Sequence, residues 1–183
     1  MKPGSLRLRL VAGGAAAIIS ALILAGIGLT YLFERHVMRS LAEDLDVHVR
    51  QALASIEVGP AGKSRLAREP SDPRFSVPLS GLYWQLSDAT GVAARSRSLW
   101  DAALPLPHDA LPAGDVHQHR IAGPKNTELL AVERIISLKS NGVQMPVRII
   151  VASDLARVAR ARQSFAMELI LSLTILAAVL AAA

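Results

Sequence analysis

The sequence predicts an α+β fold in which two transmembrane and stalk helices flank a small antiparallel sheet. Three observations lead to this prediction. The chain of 183 residues has two long apolar stretches, one near each end. Between them lie short runs in which apolar and polar residues alternate, the period of a half-buried strand. Two of those runs are joined by Asn-Gly, the dipeptide that most strongly indicates a hairpin.

The first apolar stretch, residues 10–33, is predicted to be a transmembrane helix. It carries no charge and exceeds the ~20 residues that a helix needs to cross a bilayer. It is too long for the apolar region of a cleaved signal peptide, which has about 7–15 residues, so we expect an uncleaved anchor. Residues 1–9 are basic and are expected in the cytoplasm. Three arginines before the second stretch favour the opposite orientation, so charge alone does not decide it.

Residues 34–164 are predicted to form an extracytoplasmic domain that opens with a stalk helix over 34–57. Apolar residues recur there at steps of three or four: Met38, Leu41, Leu45, Val49, Ala52 and Ile56. Such a stripe fits either a dimer seam or packing onto the chain's own domain. We favour the dimer seam, because a stalk leaving a membrane has few other surfaces to bury against.

The middle of this domain, residues 80–152, is predicted to mix sheet and loop. Closely spaced Gly and Pro make residues 58–80 a loop. The alternation from Leu82 to Leu86 predicts a strand, which a turn at Asp88–Gly91 joins to a second strand.

Residues 99–126 are rich in Pro and Gly and predict a long irregular loop or a short helix. Two strand-like runs follow, over 127–139 and 143–152, with Asn141-Gly142 between them. They predict a hairpin.

The chain ends in a return helix, residues 153–164, and a second transmembrane helix, residues 165–183. Ser153 and Asp154 are good N-cap residues for this helix. No Lys/Arg-bearing segment follows the second span, although one normally does on the cytoplasmic side. We therefore expect this span to be truncated and the chain to be the front part of a longer membrane protein.

Composition and motifs exclude several classes of function. The chain has no Cys, which rules out thiolate zinc sites, Fe–S clusters and disulfides. Its net charge of +5 is spread thinly, without a block of like charges, so it indicates solvated surface and membrane flanks, with no nucleic-acid partner. Neither a phosphate-binding loop nor a nucleophile elbow occurs. We predict no catalytic residues and no cofactor site in this chain.

One cluster could bind a metal ion or sense protons. Asp115, His117 and His119 lie close together, with His108 and Asp109 shortly before them. His-x-His on a strand places both imidazoles on one face, which provides half of a metal site. Histidine also titrates near neutral pH. The alternative, which we favour, is a soluble polar loop with no ligand.

Two arginines of the return helix form a second candidate site. Arg157 and Arg160 lie just before the second span, where they could hold anionic lipid head groups. They could equally pair with stalk acids such as Glu43, Asp44 or Asp46. The sequence favours neither role.

A longer run of residues carries a resemblance to a known family. Asp72-Pro73-Arg74-Phe75, followed by Tyr83-Trp84-Gln85, resembles the extracytoplasmic sensor region of bacterial two-component sensor histidine kinases. Arg97–Asp101, Gly123-Pro124 and Ala152–Asp154 extend the resemblance over most of the chain.

The resemblance implies a periplasmic, PAS-like input domain between two spans of the bacterial inner membrane. It implies a homodimer through stalk and transmembrane helices, contact with membrane lipid and an unknown stimulus. In the longer protein it implies a HAMP linker, a phosphoacceptor helix pair, an ATP-binding domain that uses ATP and Mg, and a response regulator as partner. No histidine here is followed by the phosphoacceptor pattern Glu-x-x-Asn/Thr-Pro, so this chain alone should phosphorylate nothing.

Two other functions stay open from the sequence. The chain could be the input half of another receptor, such as a cyclase or a chemoreceptor. It could also be a bitopic membrane scaffold protein without signalling output.

Overall fold

A computed structural model describes residues 6–59, 63–105, 114–140 and 143–182 of the chain and confirms the α+β class. The helices and strands are α1 (Leu6–Leu53), β1 (Ile56–Val58), β2 (Ser64–Leu66), β3 (Leu82–Asp88), β4 (Gly91–Arg95), β5 (Val116–Ala122), β6 (Glu128–Ser140), β7 (Val143–Asp154) and α2 (Ala156–Ala182). The chain divides into two compact units. We call residues 1–38 with 157–183 the helical unit, and residues 39–156 the sheet unit.

The helical unit consists of the first part of α1 and nearly all of α2. By length and composition, both helices are apolar enough to cross a membrane. They pack side by side: the rings of Phe33 and Phe165 stack with centroids 4.2 Å apart. A Cβ atom added at Gly26 would lie 3.2 Å from Leu173, so a small residue at this position permits the close approach.

The sheet unit contains a five-stranded antiparallel sheet with the strand order β4-β3-β7-β6-β5. The long hairpin of β6 and β7 forms its centre, and β3 pairs with the other edge of β7. Strands β1 and β2 form a separate two-stranded sheet. The predicted turn at Asn141-Gly142 lies outside the described residues.

Each face of the five-stranded sheet buries its own apolar layer. On one side, which we call the helix face, Trp84 lies in the layer that α1 covers: Leu45 and Val49 of α1 are buried, and Asp46 pairs with Arg134 of β6 at 3.5 Å. The opposite side, which we call the cavity face, has a core of Tyr83, Leu99, Leu104, Ile121, Leu129, Ala131, Ile150 and Ala152.

Several boundaries differ from the predicted ones. The stalk helix ends at Leu53, before the predicted residue 57, because Ile56–Val58 pairs with Ser64–Leu66 as a small hairpin. The predicted 99–126 loop contains β5, which pairs with β6 along its whole length. The final helix begins at Ala156, whose amide donates to Asp154 Oδ1 at 2.8 Å, so Asp154 caps the helix as predicted.

The apolar stripe of the stalk packs onto the chain's own domain. Leu45, Val49 and Ala52 are at most 1% exposed within a single chain. The favoured interpretation, a dimer seam through these three residues, is therefore wrong. The five-stranded sheet has an apolar face against which this helix packs. The spacing of apolar residues in the helix does not indicate which surface covers them.

Candidate functional site

The Asp-Pro-Arg-Phe motif forms a compact turn. Asp72 caps a short 3₁₀ helix, Pro73–Ser76, by accepting a hydrogen bond from the Arg74 amide at 2.9 Å. Arg74 Nε also lies 3.0 Å from each carboxylate oxygen of Asp72. Phe75 is 1% exposed. The motif thus fixes its own backbone and buries one aromatic anchor.

This turn contacts helix α1 through one histidine. The His48 ring meets Phe75 edge to face, with centroids 5.4 Å apart. Its Nε2 lies 3.9 Å from Asp72 Oδ2. Together with the pair of Asp46 and Arg134, these contacts join the sheet-unit part of α1 to the loop and to the sheet. We call His48, Asp72, Arg74 and Phe75 the helix–loop junction.

The electrostatics of the junction favour an ionised Asp72. The hydrogen bond from the Arg74 side chain lowers the pKa of Asp72 to about 2, although burial opposes this shift. The same hydrogen bond raises the pKa of Arg74. Because the folded state lowers the Asp72 pKa below its ordinary 3.8, this ionisation stabilises the fold above that pH and loses its effect as the pH falls towards 2.

Replacing Asp72 with Asn should destabilise the sheet unit at neutral pH, because it removes the ionised partner of Arg74. We expect a loss of only about 1–2 kcal/mol of unfolding free energy, since part of the ion pair is exposed to solvent and screened. The difference from the natural chain should shrink as the pH falls from about 4 to about 2. Thermal unfolding of the detergent-solubilised chain, followed by tryptophan fluorescence across this pH range, measures it. Asp101→Asn is the matched control at an exposed position. An equal loss of stability in both variants contradicts the stabilising role of the ionised Asp72.

Tyr83, Trp84 and Gln85 are built into β3 and act as a scaffold. Burial raises the pKa of the Tyr83 hydroxyl, and the Trp84 amide donates to Ser96 Oγ at 3.1 Å. Gln85 Oε1 accepts a hydrogen bond from the Leu104 amide at 2.8 Å. The motif residues therefore hold the 96–104 segment against the sheet.

A buried polar cluster lies on the cavity face. Glu133 is fully buried; its Oε1 lies 3.0 Å from His119 Nε2, and its Oε2 lies 3.5 Å from Arg148 Nε. We call His119, Glu133 and Arg148 the polar centre. A buried carboxylate is costly unless it is paired, so the two neighbours on β5 and β7 account for its presence in an apolar layer.

The predicted histidine cluster is only partly brought together. The rings of His117 and His119 lie 6.5 Å apart between centroids, and Asp115 is exposed before β5 begins. His108 and Asp109 lie outside the described residues. Within the described part of the chain, no group of three or more His, Asp or Glu side chains is placed to hold a metal ion.

The arginines of the return helix lie in the helical unit. Arg157 and Arg160 are exposed on the first turns of α2. Their neighbour Arg162 lies 3.3 Å from Glu34 of α1, an acid other than the three that the sequence suggested as partners. Pairing of Arg157 and Arg160 with stalk acids stays a prediction. Binding of lipid head groups by Arg157 and Arg160 stays a prediction.

Sequence reasoning missed Glu133 and Arg148, although a signal existed. Ser140 pairs with Val143, and counting back along the two strands from this pair matches Ile135 with Arg148. Glu133, two residues from Ile135, then lies diagonally opposite Arg148 on the same face. A Glu inside the apolar run LLAVERII was the clue to a buried pair.

Comparison with known proteins finds similarity to part of a sensor kinase. The chain is 31% identical over 140 residues to the sensor protein kinase CarS of Pseudomonas aeruginosa. The match covers 76% of this chain and 29% of that kinase, in agreement with the resemblance to a sensor kinase N-terminal region. No protein-family model and no solved structure matches the chain.

Proposed function

We propose that this chain is the signal-input region of a membrane-bound two-component sensor histidine kinase. One observation carries the proposal: α1 is a single helix, Leu6–Leu53, that joins a candidate membrane span to the core of the sheet unit. Its first part is apolar and unburied within the chain, as in a membrane span. Its last turns supply Leu45, Val49 and Ala52 to the core of the sheet unit.

This arrangement supports a route for signal transfer. A ligand shifts a two-state protein only as far as its affinities for the two states differ. A change in the sheet alters the surface against which α1 packs, and small shifts or rotations of packed helices are common outcomes. On the other side, β7 leads through Leu155 alone into α2. Both helices that leave the sheet unit are therefore continuous with elements that a stimulus would move.

The output belongs to the longer protein that we propose. There, a cytoplasmic HAMP linker and kinase part would use ATP and Mg and transfer phosphate to a response regulator. The apolar helices and the similarity to a sensor kinase support a protein of the inner membrane. We place the sheet unit in the periplasm, between two spans that pair with those of a second copy in contact with lipid.

The periplasmic placement makes a direct prediction. Because the chain has no natural cysteine, a single Glu69→Cys substitution provides one reactive thiol at an exposed position of the sheet unit. A membrane-impermeant maleimide should label this variant in intact cells as fully as in lysed cells. Labelling is read as a mass shift on a gel.

Ser5→Cys is the matched control, since residues 1–9 are expected in the cytoplasm. This variant should react only after lysis. Protection of Glu69→Cys in intact cells, or equal labelling of both variants there, contradicts the proposed placement of the input domain.

A further inference from the structure

A groove of about 690 Å³ runs between α1 and α2 within the helical unit, and we call it the span groove. Its lining positions on α1 extend from Ile19 to Glu34, a length of about 22 Å at about 1.5 Å per residue. This length exceeds the half-thickness of the hydrocarbon core of a bilayer, about 15 Å. Apolar side chains of both helices form most of the walls, among them Ile19, Ile23, Ile27, Leu169, Leu173 and Ala177.

The two hydroxyl groups in these walls are bound within their own helices. Thr30 Oγ1 donates to the Gly26 carbonyl at 2.9 Å, and Thr174 Oγ1 donates to the Ile170 carbonyl at 2.7 Å. Neither hydroxyl needs a partner from outside, so a hydrocarbon chain can lie against the walls without leaving these groups unsatisfied.

One end of the span groove is charged. Among the described residues that line it, only Glu34 and Arg162 carry charge. Arg162 Nη1 lies 3.3 Å from Glu34 Oε2, and the two side chains are 52% and 39% exposed. A guanidinium has five N–H donors and a carboxylate has about four acceptor sites. This single contact therefore leaves both groups able to bind a further partner.

The charged end lies where both candidate spans end. Glu34 directly follows the uncharged residues 10–33, and Arg162 lies three residues before Phe165, which opens the second apolar stretch. Charged side chains at the end of a span lie at the level of the lipid head groups. The span groove thus joins a polar site at head-group level to an apolar channel that runs along the spans.

We propose that the span groove binds an aminophospholipid, with one acyl chain along its apolar walls, the phosphate at Arg162 and the primary ammonium at Glu34. This inference rests on the proposed function, for which it names a lipid partner of the spans. The paired charges select the head group. An anionic phospholipid meets Arg162 but brings no cation to Glu34, and a choline head group has no N–H to donate to that carboxylate.

The size of the span groove favours a lipid chain over a helix of a second copy. Spread over its length, the volume gives a mean cross-section of about 30 Å². A helix with its side chains is about 10 Å across, which corresponds to about 80 Å². A second copy therefore packs on other faces of the two spans.

The test is native mass spectrometry of the delipidated full chain in detergent, titrated with phosphatidylethanolamine, phosphatidylcholine or phosphatidylglycerol of identical acyl chains. Phosphatidylcholine differs from phosphatidylethanolamine only in the methyl groups on its nitrogen. We expect one phosphatidylethanolamine per chain to bind about threefold or more tightly than either other lipid, the range that exposed ion pairs provide. Equal affinity for the three lipids overturns the proposal, and so does a dimer whose formation excludes all three.

Variants locate the binding, and far-UV circular dichroism checks that each keeps its helices. Glu34→Gln should remove the preference for phosphatidylethanolamine over phosphatidylcholine, and Arg162→Gln should weaken binding of all three lipids about threefold or more. Arg39→Gln, at an exposed arginine of α1 outside the groove, should change neither. Ala166→Phe should fill part of the groove and weaken binding of all three lipids, whereas Met167→Phe, at a 66% exposed neighbour, should not.

A preference for phosphatidylethanolamine that survives both Glu34→Gln and Ala166→Phe overturns the proposal. Labelling of Glu69→Cys in intact cells tests the proposed function separately. A correctly placed input domain that shows no lipid preference therefore counts against the span groove alone.

Discussion

Replacing Trp84 with Ala should cost the sheet unit about 3–5 kcal/mol of unfolding free energy, the usual range for a large aromatic deleted from a core. Trp84 is 1% exposed. It lies on the helix face, in the layer covered by α1, and its strand pairs it with Val151 of β7. Truncation would leave a cavity in this layer.

Two matched variants isolate this effect. Trp100 is 62% exposed, and Trp100→Ala should change stability by less than about 0.5 kcal/mol. Trp84→Phe should lose much less than Trp84→Ala, because Trp84 Nε1 is buried without a hydrogen-bond partner in the described structure. Unfolding of the chain in detergent, followed by far-UV circular dichroism, measures all three. Similar losses at Trp84 and Trp100 contradict the packing described here.

The second large effect concerns signalling itself. We expect a change in the sheet unit to become a helix movement where α1 packs on the sheet. Asp46 of α1 and Arg134 of β6 mark this contact, with 3.5 Å between their charged atoms. Fixing this contact covalently should hold α1 in one position and shift the output of an attached kinase. An effector typically changes the affinity at a coupled site by about 5–150-fold. We therefore expect the autophosphorylation rate of the attached kinase to change about fivefold or more.

Much of this fold follows from local patterns in the sequence. Hydropathy and length identify both long apolar helices as candidate spans, because the bilayer requires a minimum apolar length. Alternation and Asn-Gly identify the β6–β7 hairpin, because the side-chain period of a strand is two. Both signals come from residues that are close together in the sequence. The structure has the two strands of the hairpin at Glu128–Ser140 and Val143–Asp154.

The parts that sequence reasoning missed depend on distant neighbours. Strand β5 forms because it pairs with β6, and its own Pro- and Gly-flanked segment gives only a weak strand signal. The stalk stripe fits a dimer seam or a domain core equally well until the sheet is in place. The three residues of the polar centre lie far apart in sequence, on β5, β6 and β7. Their side chains meet only when all three strands are paired in register, so no local pattern reveals the cluster.

The most direct measurement uses a fusion of this chain to the kinase part of CarS, with the cysteines of that part replaced. Asp46→Cys and Arg134→Cys, introduced together, are bridged by a short bis-maleimide in membrane vesicles. Autophosphorylation with ATP is then compared between bridged and unbridged protein, and each single-cysteine variant treated with the same reagent is the control. We expect the autophosphorylation rate to change about fivefold or more on bridging, with both controls unchanged. Equal rates before and after bridging would contradict it.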